Sequence, residues 1–319
     1  MTDPGSYSLV ADIGATHARF SLARQGALTG QVLVLSTGDH DDASNLLREA
    51  RAALGADGLD GSCIAVAGPV LNDRVQVTNG GLLFQRRELE RALASPVRLV
   101  NDFYALARAL PTLGRLEQIG GDPARAAAHD VKVVLGPGSG LGMSLLVPEG
   151  ADGWQVLPSE GGHADLAPGN HLEQELLSML MLEHPVVCWE TVLSGPGLVR
   201  LYRAVARLWG SEPGELSPEE ISEQGRHAAD PVCHQALEMF FGFLGAAAGN
   251  LALTVCARGG VYIGGGIVPA LVDFARTSAM RRRFEERAEL ADFVTDIPLY
   301  LILDEHPGLA GAACLLDDA

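Results

Sequence analysis

Lysine is almost absent from this chain, since Lys132 is the only lysine among 319 residues. Walker-type nucleotidases, protein kinases and enzymes that form a Schiff base each depend on a lysine at the reacting group, so the sequence excludes them. Any polyphosphate that binds here must therefore be held by backbone N–H groups, arginine or a metal ion.

Basic charge and paired cysteines are also scarce. The formal net charge of −17 argues against nucleic acids and membrane surfaces as partners, because both attract basic patches. The five cysteines are scattered and never form a Cys-x-x-Cys pair, so we expect neither a disulfide framework nor a zinc knuckle. This use of cysteine is typical of proteins in the reducing cytoplasm, where we expect the chain to be located. We also expect no membrane-spanning segment, because no apolar run looks long enough, and no signal peptide, because the N-terminus lacks a charged flank and an apolar core.

The most informative stretch is Leu9–Phe20, where an apolar strand delivers Asp12 into a turn with Gly14 and Thr16. Such a turn suits a metal-bound polyphosphate: glycine lets N–H groups approach phosphate oxygens, threonine adds a donor, and the carboxylate holds Mg²⁺ through water. The same pattern also occurs in ordinary hairpins, and that interpretation stays open for the stretch alone.

A second polar pair, Asn101-Asp102, directly follows the apolar strand Val97–Val100. Open α/β sheets bind their ligands at the carboxyl ends of strands, so this pair is a candidate ligand site. The alternative is that Asp102 only caps the helix that follows.

The pattern of a strand, a glycine-containing turn and a second strand recurs further along the chain. Val131–Leu135 predicts a strand, Gly136–Gly142 a glycine-rich turn and Met143–Val147 a returning strand, which suggests a duplicated domain. The glycine spacing matches neither the dinucleotide-binding motif nor the P-loop. We place the crossover between the two domains in Pro111–Asp130, which shows little regular pattern, and predict a mixed α/β fold.

Three later stretches are ambiguous when taken alone. Glu160-Gly-Gly-His163 reads as a surface turn or as half of a zinc site, although too few ligands lie nearby for zinc. Glu190 would pass for a solvated acid at a helix end. Gly264–Gly266 joins a strand to a helix and is able to receive a nucleotide.

Taken together, these stretches resemble the bacterial glucokinase family in order and spacing. The matching blocks begin at Asp12, Asn101, Gly136, Glu160, Leu193 and Gly259. The resemblance implies two ribonuclease-H-like domains of the actin and hexokinase type that flank a cleft. It also implies phosphorylation of D-glucose at the 6-hydroxyl by ATP with Mg²⁺, to give glucose 6-phosphate for glycolysis.

The resemblance further implies which residues form the site, with Asp102 as the catalytic base. The sugar-binding residues would be Asn101, Asp102, Glu160, His163 and Glu190. The ATP-binding residues would be Ala11, Asp12, Ile13, Gly14, Ala15, Thr16, Gly138, Ser139, Gly140 and Gly265. The family usually has glycine and asparagine where Ala15 and His17 stand, and a methyl group at position 15 would crowd the phosphates.

The resemblance implies a small domain over residues 1–112, a large one over 113–303, and a last helix, 304–319, that returns to the small domain. A homodimer is common in the family. Other functions stay open: a broader hexokinase, a sugar-binding regulator without catalysis, or an actin-type ATPase.

Overall fold

The computed structural model of the chain describes residues 7–77, 81–126 and 129–317. Contacts between Cα atoms divide the chain into two units. Unit 1 comprises Met1–Gly114, Ser144–Pro158 and Asp304–Ala319, and unit 2 comprises Arg115–Met143 and Ser159–Leu303.

In residues 7–114 a five-stranded sheet is built first from a meander and then from strand–helix alternation. The strands are β1 (Tyr7–Ile13), β2 (His17–Arg24), β3 (Ala27–Ser36), β4 (Leu59–Val66), β5 (Arg74–Gln76), β6 (Leu83–Gln85) and β7 (Val97–Asn101), and the helices are α1 (Ala43–Ala53), α2 (Arg86–Leu93) and α3 (Asp102–Ala109). The sheet order is β3-β2-β1-β4-β7, and β5 and β6 form a separate pair. β1 runs antiparallel to β2 and parallel to β4, which in turn is parallel to β7.

Residues 115–303 contain the six strands of a second sheet. The strands are β8 (Leu116–Gln118), β9 (Lys132–Pro137), β10 (Leu141–Glu149), β11 (Gly153–Ser159), β12 (Val261–Ile263) and β13 (Leu299–Ile302). The helices are α4 (His171–Glu183), α5 (Trp189–Val192), α6 (Gly195–Leu208), α7 (Pro218–Arg226), α8 (Pro231–Val255), α9 (Val272–Thr277), α10 (Met280–Glu285) and α11 (Ala291–Thr295), and α12 (Pro307–Asp317) follows in unit 1. The sheet order is β11-β10-β9-β12-β13-β8.

The two sheets repeat one strand order, as the two glycine turns of the sequence suggest. In each sheet three consecutive strands lie side by side, β3-β2-β1 in one and β11-β10-β9 in the other. Two further strands then continue from the first strand of the meander, β4 and β7 in one case and β12 and β13 in the other, and these are parallel to it. The second sheet adds β8 at its edge, antiparallel to β13.

Strand β1 is buried on both faces from Leu9 to Ala11, which explains the apolar run at these positions. Leu9 and Ile13 belong to the core cluster that includes residues of α1 and α2. Val10 belongs to a second cluster, with residues of α3 and α12. Because side chains alternate along a strand, Asp12 shares the face of Val10. The carboxylate therefore points to the side of the sheet on which α3 and α12 lie.

Helix α8 corrects one expectation from the sequence, because it is long and apolar enough to cross a membrane. However, 78% of its most apolar stretch is buried inside the protein, as in the core helix of a globular domain. Its glycines allow this packing. A Cβ at Gly249 would lie 2.6 Å from the carbonyl oxygen of Phe284 in α10, and a Cβ at Gly245 would collide with the backbone of Met280.

Two other expectations were also incomplete. The stretch Pro111–Asp130 contains the edge strand β8, which is too short to show a period. The helix expected after Gly264–Gly266 begins as a 3₁₀ turn, Val268–Leu271, before α9. At the start of α7 the Ser217 hydroxyl accepts from Glu220 N–H, and the Glu220 carboxylate accepts from Ser217 N–H.

One buried ion pair fixes the start of α4. Arg283 Nη2 lies 2.9 Å from Glu173 Oε2, and the two side chains are only 9% and 8% exposed. The same carboxylate also accepts from Gly169 N–H and from the Asn170 side chain. Glu173 thus joins α10 to the loop that precedes α4.

We expect Glu173→Ala to destabilise the protein strongly, because the buried Arg283 guanidinium loses its buried partner and keeps only Glu286, whose side chain is 43% exposed. A broken buried pair costs about 3–5 kcal/mol, which corresponds to a fall in Tm of roughly 6–12 °C in differential scanning fluorimetry. The control is Glu175→Ala on the same helix, where the side chain is exposed. Equal Tm values for the two variants would contradict the assignment.

Candidate functional site

The first turn follows β1 and is closed by backbone bonds. Gly14 N–H donates to the carbonyl of His17 at 2.9 Å. Thr37, which is only 5% exposed, supports the turn from outside: its hydroxyl donates to the Ala15 carbonyl at 2.6 Å, and its N–H donates to the Thr16 carbonyl at 3.1 Å. The side chains of Thr16 and His17 are exposed, so a polar group is available at the tip.

Asp12 lies at the end of β1 with its carboxylate buried, although the residue as a whole keeps some exposed surface. Burial raises the pKa of Asp12, against the opposing effect of Arg19 and His306. Gly308 of α12 packs directly on the carboxylate, since a Cβ there would lie 2.6 Å from Oδ2. A buried carboxylate of this kind gains from a neighbouring cation.

Asn101 rather than Asp102 caps α3, which corrects the capping alternative from the sequence. Asn101 Oδ1 accepts from the N–H groups of Phe103 and Tyr104 at 2.9 and 3.1 Å. Its Nδ2 donates to Gly68 O at 3.1 Å and to Asp102 Oδ1 at 2.9 Å. The amide therefore orients the carboxylate beside it.

Asp102 is the first residue of α3, and its carboxylate lies deep while the residue keeps some exposed surface. Burial, and then the negative charge of Asp12, raise the pKa of Asp102 to about 7. Hydrogen bonds from Phe103 N–H and from Asn101 act in the opposite direction. A carboxylate with this pKa is able to accept a proton near neutral pH.

In unit 2 the two predicted glycine turns pack against each other through their backbones. A Cβ at Gly136 would lie 2.5 Å from the carbonyl carbon of Gly264. Gly265 has a φ of +84°, and a Cβ there would collide with the Pro137 carbonyl. Only glycine combines this φ with so close an approach. The structure thus brings Gly265 to the base of the Gly138–Gly140 turn.

Glu190 is a half-buried residue of α5, and its carboxylate reaches the same turn. Its Oε2 accepts from Leu141 N–H at 2.7 Å. Gly140 makes room for it, because a Cβ there would lie 2.5 Å from Oε2. The carboxylate is therefore bonded within the fold, and the interpretation of Glu190 as a solvated acid is wrong.

Glu160 and His163 are exposed side chains on a short turn that is joined to α5. Asp165 and Cys188 form a β-bridge, and Trp189 N–H donates to Ala164 O at 3.0 Å. Cys188 Sγ lies 4.0 Å from His163 Nδ1. The structure thus brings the His163 turn next to the helix that carries Glu190.

The predicted site residues form two sets, one in each unit. Unit 1 holds the Asp12–Thr16 turn with Asn101 and Asp102, and unit 2 holds Gly138–Gly140, Glu160, His163, Glu190 and Gly265. The side chains of Ala11 and Ile13 are fully buried, so only their backbones face the turn.

Sequence reasoning missed two supporting residues, Thr37 and Leu141. Thr37 is separated from the turn by twenty residues or more, and Leu141 acts through its backbone, which leaves no signal in the residue type. No group of three or more His, Cys, Asp or Glu side chains suited to a metal ion occurs in residues 7–77, 81–126 and 129–317.

We expect Asp102→Asn to stabilise the protein at pH 8. The raised pKa means that the folded state holds its proton more tightly than the unfolded state, so stability is lost as the pH rises from about 4 to about 7. The asparagine carries no charge and avoids this loss. At pH 8 its Tm should exceed that of the wild type by about 2 °C or more, and the gap should close towards pH 4.

The control for this measurement is Asp60→Asn, an exposed aspartate of unit 1, which should show no such trend. A constant Tm difference between pH 4 and pH 8 for Asp102→Asn would contradict the raised pKa.

Comparisons with known proteins agree with this arrangement. The glucokinase family model matches residues 9–319. A glucokinase from Chromobacterium violaceum is 43% identical over 313 residues, which cover 97% of this chain and 89% of the relative. The crystal structure of a glucokinase from an Antarctic psychrotroph superposes with a TM-score of 0.86 at 34% identity, over 99% of this chain and 100% of that one.

A more distant structure shares the fold alone. It is a ROK-family glucokinase from Streptomyces griseus in complex with glucose and AMPPNP, with a TM-score of 0.67 at 20% identity over 97% of this chain and 99% of that one. These solved structures have the two-domain actin-like ATPase fold. The fold class predicted from the sequence is therefore confirmed.

Proposed function

The chain belongs to the glucokinase family and is a glucose kinase that uses ATP, and we propose that it carries the γ-phosphoryl group to the 6-hydroxyl of D-glucose with Asp102 as the base. The observation that carries the residue assignment is the position of Asp102, with a pKa of about 7, at the start of α3 beside Asn101. A coupled assay of ADP release over a panel of hexoses tests the reaction and its breadth. Turnover with glucose is expected to exceed that with other hexoses.

Asp102 would accept the proton of the sugar hydroxyl as the oxygen attacks phosphorus. Proton transfer to a positioned base contributes typically ~10²–10⁴ in rate, most efficiently when its pKa lies near the working pH. Asn101 Nδ2 and Phe103 N–H donate to Oδ1, which fixes the carboxylate in one orientation. The amide of Asn101 is thus a positioning group as well as a proposed sugar contact.

The remaining sugar contacts would come from unit 2, through Glu160, His163 and Glu190. Carboxylate oxygens accept from hydroxyl groups, while an imidazole nitrogen donates or accepts according to its tautomer. Such a set distinguishes hydroxyl orientations, because a wrongly placed hydroxyl leaves a polar group unpaired.

The phosphates of ATP would lie on backbone N–H groups of Asp12–Thr16 and Gly138–Gly140, with Gly265 nearer the nucleoside. The single lysine, Lys132, is buried and its ammonium donates to the carbonyl of Gly259. The negative charge of the ATP phosphates must therefore be neutralised by groups other than lysine. Asp12 is suited to hold Mg²⁺, usually through water, and that ion would offset phosphate charge during transfer.

Three further properties are proposals of the same kind. A cytoplasmic location fits scattered cysteines, and glucose 6-phosphate would enter glycolysis. A homodimer is the assembly that we propose, and light scattering after gel filtration tests it. The broader hexokinase, the silent regulator and the actin-type ATPase are not favoured by the relatives.

For catalysis, we expect Asp102→Asn to reduce kcat by roughly 10² or more, because the amide keeps the shape but does not accept a proton. The Kd for glucose should stay within about an order of magnitude of the wild-type value, since a hydrogen bond is retained. Turnover close to the wild-type rate would show that Asp102 is not the base.

Ala15 gives a second test, on the ATP side. The sequence suggests that its methyl group crowds the phosphates, but in the structure Ala15 packs against the core cluster of unit 1. We therefore expect Ala15→Gly to leave KM for ATP within about two-fold and to lower stability by roughly 0.5–1 kcal/mol. A clear fall in KM for ATP with unchanged KM for glucose would show that the methyl group does obstruct the phosphates.

A further inference from the structure

The backbone of Leu141 lies where the proposed sugar and phosphate residues of unit 2 meet. Its N–H donates to Glu190 Oε2 at 2.7 Å. Its carbonyl lies against Gly162, in the turn between Glu160 and His163, so closely that a Cβ on Gly162 would collide with it. On its other side Leu141 is covalently joined to Gly140. One residue therefore touches both sugar-binding stretches and the phosphate turn.

The contact with Glu190 depends on the absence of a side chain at position 140. A Cβ at Gly140 would lie 2.5 Å from Glu190 Oε2, which is too close for the carboxylate to keep its place. A second bond ties the same parts together, since Gly195 N–H donates to the Gly138 carbonyl at 2.8 Å. The Ser194 hydroxyl also donates to the carbonyl of Glu190, at 3.0 Å. The segment from Glu190 to Gly195 is thus bonded to the glycine turn at two points.

We propose that Leu141 is a positioning residue, whose backbone couples glucose binding to ATP binding. Glucose held by Glu190 and the 160–163 turn fixes both partners of Leu141, and the glycine turn then receives the phosphates without a further cost of ordering. Coupling between two ligands is reciprocal, so ATP strengthens glucose binding by the same factor. This inference rests on the proposed function, because that function supplies the two ligands.

The experiment is calorimetric titration of glucose into the protein with and without saturating AMPPNP and Mg²⁺. For the wild type we expect AMPPNP to lower the Kd for glucose at least about five-fold, the lower end of typical coupling between sites. For Gly140→Ala, whose methyl group displaces the carboxylate from Leu141 N–H, we expect the ratio of the two Kd values to fall below about two-fold. Circular dichroism and Tm would establish that the variant is folded.

Gly138→Ala is the matched control in the same turn. A Cβ at Gly138 meets no atom of the described residues within 4 Å, so Glu190 keeps its place. This variant should retain the wild-type ratio even where its affinity for the nucleotide changes. The comparison separates loss of a glycine from loss of the Leu141 contact.

A pair of variants at Glu190 tests the same contact if Gly140→Ala does not fold. Glu190→Gln keeps an acceptor of equal reach and should retain the ratio, although it binds glucose more weakly. The side chain in Glu190→Asp is shorter by one methylene and does not reach Leu141 N–H. For this variant we expect the ratio of the two Kd values for glucose to fall below about two-fold.

Two results would overturn the inference: independent binding of glucose and AMPPNP to the wild type, or a wild-type ratio in both Gly140→Ala and Glu190→Asp. Failure of the proposed function is distinguished by the ADP-release assay. A wild type that phosphorylates glucose but binds its two ligands independently refutes only the coupling.

Discussion

The burial of two like charges in one sheet is the constraint on which unit 1 depends. Asp12 ends β1 and Asp102 follows β7, and β4 lies between them and parallel to both. In the register Asp12 lies opposite Ala65, and Asn101 opposite the next residue, Val66. The two strand ends are thus separated by two strand spacings, roughly 10 Å. At that distance in a buried environment the negative charge of Asp12 disfavours ionisation of Asp102, and burial raises the pKa of both carboxyl groups. The fold accepts this cost at the place where we propose that Asp102 acts as the base and Asp12 holds a metal ion.

Because the chain has a single lysine, we propose that glycine turns with backbone N–H donors hold the phosphates in its place. The turns at Gly14 and Gly138–Gly140 are held by backbone hydrogen bonds together with the Thr37 hydroxyl and the Glu190 carboxylate, and Gly265 packs on the backbone of Pro137. Backbone groups are fixed by the fold, so they lose little freedom when they meet a ligand. Gly140 shows how strongly the site depends on glycine, because one methyl group at this position would displace the Glu190 carboxylate of α5.

Much of this architecture could be predicted from the sequence, because its signals are local. The apolar run of β1, the glycine turns and the polar pair at the end of β7 are each visible in a short stretch of the chain. The sequence did not show that Asn101 rather than Asp102 caps α3, since asparagine and aspartate cap helices equally well. The edge strand β8 has three residues, too few to show a period. The role of Leu141 lies in its N–H and carbonyl, which every residue except proline shares, so no pattern of side chains could reveal it.

The contact between Gly308 of α12 and Asp12 of β1 joins the first strand of unit 1 to its last helix, so unit 1 is complete only after α12 has been made. Its second core cluster combines Val10 and Cys63 with Leu309 and Ala312 of α12. Gly114 and Asp304, which are hydrogen-bonded, lie 190 residues apart in the chain. Contacts of such long range are slow to form, because a long loop must close first. As the ribosome delivers the chain, the first sheet emerges early with its Val10 face packed against α3 but not yet against α12, while the strands and helices of unit 2 become available before α12 does. Unit 1, which holds the proposed base Asp102, therefore completes its second core cluster only when α12 has been made and has packed on Val10 and Cys63.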